Sequence, residues 1–112
     1  MTADPSVGEI ADRWEVEREL RRVVDRLGAL PLARAAAAAG DVQVCARRLV
    51  TVGRRLGVPI PTDAQVPDLG PSGLAALIAV LGRDCLDAVP QGDAHGLQDM
   101  HAALVELRRT LP

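Results

Sequence analysis

The sequence predicts an all-α fold, a compact bundle of four to five helices with a Pro-rich connection between residues 57 and 73. Apolar residues recur at steps of three and four along most of the chain, the spacing that puts them on one face of a helix. No segment alternates apolar and polar residues with the β-branched or aromatic enrichment of a half-buried strand. Proline and glycine gather in one stretch, "GVPIPTDAQVPDLGPSG", which reads as a long irregular connection. A length of 112 residues fits one domain, 1–112, with helical pairs 6–56 and 72–111 joined by the irregular 57–71.

The first helix is expected over about 6–28, with Val16, Leu20, Val23 and Leu27 as its main stripe and Gly28 as a stop signal. Val7, Ile10 and Trp14 share the helical spacing but fall on a different face. A second helix should open at Pro31, a residue suited to the first turn, and run to about Ala39. A third is expected over about 42–56, capped by Asp41, with Val42, Cys45, Leu49, Val52 and Leu56 inward. Its other side carries Arg47, Arg48, Thr51, Arg54 and Arg55. The fourth, about 72–89, shows Leu74, Leu77, Ile78, Leu81 and Cys85 before Pro90. Asp93 caps the fifth, about 94–111, whose stripe is Leu97, Met100, Leu104, Leu107 and Leu111. The short "PQGD" link makes these last two helices antiparallel neighbours.

Composition narrows the function classes. Apolar residues are 48% and charged residues 25%, a globular balance. Trp14 is the one aromatic residue, so the core is built from Leu, Val and Ala. All 13 basic residues are Arg, and with Ala, Gly and Pro they point to a GC-rich, bacterial genome. Net charge is −2, which argues against a general nucleic-acid binder. The halves differ, however. Residues 1–56 hold ten arginines against eight acids, and residues 57–112 three against seven. The N-terminal stretch lacks a basic segment followed by an apolar one, so no signal peptide is expected. The longest apolar run, Leu74–Leu81, is too short for a bilayer. A cytoplasmic protein without a membrane partner is the expectation.

Residues 32–50, "LARAAAAAGDVQVCARRLV", carry two resemblances. With Ala36, Gly40, Ala46 and Leu49 at the required spacing, the segment resembles a bacterial repressor-type helix-turn-helix. Gln43, Arg47 and Arg48 would then face DNA, with Arg54 and Arg55 as further contacts; Gln suits adenine, and Arg suits guanine or phosphate. Asp41 departs from that pattern, which has an apolar residue in the turn. Gly40, Asp41, Cys45, Leu49 and Val52 also resemble one tetratricopeptide-like hairpin, which implies an antiparallel helix pair. The packed hairpin is preferred because the chain is acidic overall and this region has no aromatic residue.

Catalytic and metal-binding patterns are not found. "LGRDCLDAV", residues 81–89, resembles the carrier-protein attachment motif only superficially, since Cys85 stands in place of the accepting serine and Pro90 cuts the helix short. Cys45 and Cys85 read as buried free thiols, and Asp84 and Asp87 would raise rather than lower the Cys85 pKa. His95 and Asp99 stand at i and i+4, but no second ligand pair accompanies them. No phosphate loop or dinucleotide fingerprint is present. No cofactor, metal or enzymatic activity is expected. The leading expectation is an interaction module, an adaptor, regulator or assembly subunit that binds another protein or itself as a homo-oligomer. Val7, Ile10 and Trp14 would form its contact face. A DNA-binding regulator is the second expectation, and a small ligand-binding or enzymatic bundle the third.

Overall fold

The computed structural model describes residues 12–61 and 63–112, and all its regular structure is helical. Four α-helices are formed among these residues: α1 (Arg13–Ala29), α2 (Leu32–Arg55), α3 (Leu74–Ala88) and α4 (Ala94–Thr110), with a 3-10 turn at Pro71–Gly73 leading into α3.

The helix boundaries follow local chemistry. Asp12, in extended conformation, accepts the Glu15 N–H at 2.7 Å and caps the start of α1, while the predicted start at residue 6 lies outside the described residues. Val7 and Ile10 lie outside the described residues. Pro31 separates α1 from α2. At the end of α2, Gly57 takes φ +91°, the Val58 N–H bonds the Gly53 carbonyl, and the Gly57 N–H bonds that of Arg54. This paired closure needs a left-handed residue, which glycine supplies without a Cβ penalty. Asp93 caps α4 through the Gly96 N–H at 3.0 Å.

The predicted break at Gly40-Asp41 is not formed. α2 runs unbroken through both residues, so helices expected at 31–39 and 42–56 are one helix of 24 residues. The reason lies in the phase of the apolar stripe. Ala35, Ala38, Val42, Cys45, Leu49 and Val52 are all buried and follow each other at steps of three and four, without a slip at the Gly-Asp pair. Gly40 and Asp41 sit on the exposed side, where glycine is tolerated at a modest propensity cost. The turn that both resemblances require is therefore absent. Of the alanine run, Ala35 and Ala38 face the core while Ala36 and Ala37 are exposed.

Helices α1 and α2 each pack on both α3 and α4. Side-chain pairings give the directions. Glu15, Glu19 and Arg26 of α1 meet His101, Arg108 and Pro112, so α1 and α4 run parallel. Arg13 and Leu20 meet Leu86 and Gly82, so α1 and α3 run antiparallel. Arg48 and Arg55 meet Glu106 and Asp99, so α2 and α4 run antiparallel. Thus α3 and α4 are antiparallel as the short link predicts, yet they touch only briefly, because the stripes of α1 and α2 fill the space between them.

The core is aliphatic and tight. Val16, Val23, Val42, Leu49, Ile78, Leu86, Met100 and Leu104 are fully buried. At Gly82 a Cβ would come within 2.5 Å of Leu20 Cδ1, so this glycine sets the approach of α3 to α1. The two thiols lie inside helix contacts. Cys45 donates to the Ala103 carbonyl at 3.6 Å and Cys85 to that of Leu49 at 3.0 Å. No helix of the described residues is long and apolar enough to cross a membrane.

Candidate interaction surface

Trp14 stands in the first turn of α1 and is 65% exposed. Its backbone is held from two sides. Asp12 caps the turn, and the neighbouring Arg13 guanidinium donates to the Leu86 and Val89 carbonyls at 2.7 and 2.8 Å. Those carbonyls belong to the C-terminal end of α3, where a cation also opposes the negative end of the helix dipole. The indole is thereby presented on fixed backbone. Arg18, one turn on, lies 5.1 Å from the ring centroid in cation–π contact.

A groove runs between the parallel helices α1 and α4, and Arg18, which contacts the Trp14 ring, forms part of its wall. Its upper part, about 290 Å³, is walled by Arg18, Glu19, Arg22, His101, Arg108 and Arg109. A second hollow of about 520 Å³ shares Arg22 and Arg108 and adds Asp25, Arg26 and Ala29. In the first hollow Glu19 is only 4% exposed, the one buried charged residue described. Arg108 pairs with it from α4, and Arg22 approaches to 3.9 Å. A desolvated carboxylate needs such partners. Glu15 meets His101 at 3.5 Å across the same groove. Along its whole length five arginines face three carboxylates, and the most buried carboxylate is already engaged.

The predicted nucleic-acid face has a different organisation. Arg48 pairs with Glu106 and Arg55 with Asp99, tying α2 to α4. Arg54 donates to the Pro61 carbonyl at 2.6 Å and holds the 57–70 strap. Gln43 reaches the Pro67 carbonyl at 3.4 Å. Arg47 remains exposed without a partner among the described residues. Asp99 is thus engaged by Arg55, while His95 is exposed. No group of three His, Cys, Asp or Glu residues converges among the described residues.

Both thiols are poor nucleophiles at neutral pH. Burial pushes Cys45 up to about 12, against a small opposing pull from Arg48. Burial and then Asp84 raise Cys85 to about 11, offset in part by a backbone hydrogen bond from Gly53. Comparison with family models, curated proteins and solved structures finds no match to the chain.

Local pattern gave no sign of the Glu19–Arg108 pair. Stripe counting looks for apolar residues and passes over an acid, and its partner lies 89 positions away. The available signal was position: Glu19 sits beside Leu20 and one turn from Val16 and Val23, on the buried face.

Proposed function

We propose that this chain is a non-catalytic interaction module that captures an acidic segment of a partner protein. Trp14 is the apolar anchor, and the α1–α4 arginines orient the segment. The carrying observation is an exposed tryptophan, the only aromatic residue of the chain, in contact with Arg18 on the wall of an arginine-rich groove. Exposed Trp and Arg dominate binding energy where they are desolvated by a partner. The capped and clamped first turn lowers the ordering cost of binding. A second copy fits this face less well, because a twofold dimer would set the arginine row against itself.

Fluorescence anisotropy of labelled peptides tests the reading. An amphipathic peptide with Glu on one face and Leu on the other should bind, and its Lys counterpart should not. Affinity should fall at least tenfold in Trp14→Ala and weaken with salt. Equal binding of both peptides, or unchanged affinity in a folded Trp14→Ala protein, would remove the proposal. Self-association that persists in Trp14→Ala would point to another surface.

A further inference from the structure

A separate cleft of about 350 Å³ lies between α2 and the strap, away from the Trp14 groove. Arg47, Val50 and Arg54 reach it from one side of α2, and Gln65 and Val66 close it from the strap. None of its lining residues is acidic among the described residues. By contrast, Arg48 and Arg55 of the same helix have carboxylate partners, Glu106 and Asp99. Arg54 is turned by the Pro61 carbonyl at 2.6 Å and the Ala64 carbonyl at 3.5 Å, yet its Nε–H is buried with no acceptor among the described residues. Buried donors are nearly always satisfied, so an open one beside a cleft marks a place for an oxygen atom. Arg47, two helical turns earlier on the same face, has no partner among the described residues. Two guanidiniums without a carboxylate suit an oxyanion, which accepts paired N–H donors. Val50 and Val66 offer an apolar wall beside them, and the volume lies in the range of small-molecule sites.

We propose that this cleft binds a small organic oxyanion, a carboxylate or phosphate group carried on an apolar body. Arg47 and Arg54 hold the charged end, and Val50 and Val66 cover the apolar end. The site is independent of the Trp14 surface.

Titration calorimetry with benzoate, phenyl phosphate, benzamide, inorganic phosphate and a short DNA duplex tests the assignment. Benzoate or phenyl phosphate should bind saturably, with benzamide and inorganic phosphate at least tenfold weaker. Arg47→Gln should weaken binding at least tenfold without changing the unliganded melting temperature, since Arg47 supports no other contact. Arg54→Gln should also weaken binding, and Arg47→Gln decides the case if that variant loosens the strap. Trp14→Ala should bind as the parent does. Failure of both organic anions at millimolar concentration would overturn the proposal, as would equal binding of benzamide or inorganic phosphate, or unchanged affinity in Arg47→Gln. Binding of the duplex alone would replace it with nucleic-acid recognition.

Discussion

Gly40→Ala should stabilise this protein. Residue 40 lies well inside α2, on its exposed side, and its φ is not positive. A Cβ built there meets no atom within 4 Å, so neither strain nor new packing enters the balance. What remains is helix propensity and the reduced freedom of the unfolded chain, which together favour alanine by about 0.5–1 kcal/mol. For a chain of this size that is a rise of roughly 2–6 °C in melting temperature. Urea denaturation followed by circular dichroism, with a thermal melt, reads both quantities. Gly82→Ala is the paired control. Its Cβ would fall 2.5 Å from Leu20 Cδ1 in the α1–α3 contact, so it should cost about 1–3 kcal/mol by overpacking. If residues 40–41 formed a turn with glycine in the left-handed region, Gly40→Ala would instead destabilise by about 1 kcal/mol or more. A loss of that size refutes the continuous helix.

The Glu19–Arg108 pair should respond asymmetrically. Arg108→Ala leaves a buried carboxylate with only Arg22 at 3.9 Å and should cost about 2–4 kcal/mol in urea denaturation. Glu19→Gln leaves a half-exposed Arg108 that returns to water and should cost about 1–2 kcal/mol. The thiols make stability fall with alkali. Their folded values of about 12 and 11 exceed the ordinary 9.0, so the unfolded chain loses protons first. This contribution is intact below pH 9 and declines above it, up to about pH 11 for Cys85 and about pH 12 for Cys45, by about 1.4 kcal/mol per pH unit for each thiol. Cys45→Ala with Cys85→Ala should flatten the pH dependence of the melt, and both native thiols should resist alkylation at pH 8 until the chain is unfolded. Trp14→Ala should leave urea stability within about 0.5 kcal/mol of the parent, since an exposed side chain supports little of the core.

The helical class was legible because the stripes are regular. Val16, Leu20, Val23 and Leu27, then Met100, Leu104, Leu107 and Leu111, are buried as their spacing predicts. So were the Asp93 cap and the exit of α3 before Pro90. Turn chemistry at Gly40-Asp41 points to a break, but the stripe from Ala35 to Val52 crosses the pair without a slip, and the phase of the buried face decides the structure. Spacing placed Arg47, Arg48, Arg54 and Arg55 on α2, but their fates depend on Glu106, Asp99 and the strap carbonyls, which only tertiary structure brings near. The groove between α1 and α4 was hidden for the same reason. Parallel alignment of helices from opposite ends of the chain follows from packing that no local pattern records.

Trp14 is the only tryptophan and the chain has no tyrosine, so intrinsic fluorescence reports this position alone. In the free protein, emission should be that of a solvated indole, open to a collisional quencher. Adding the Glu/Leu peptide at low salt should shift emission to the blue and shield the ring, and higher salt should reverse both changes. An indole already shielded in the free protein, or a peptide that binds while leaving its emission unmoved, would contradict the account.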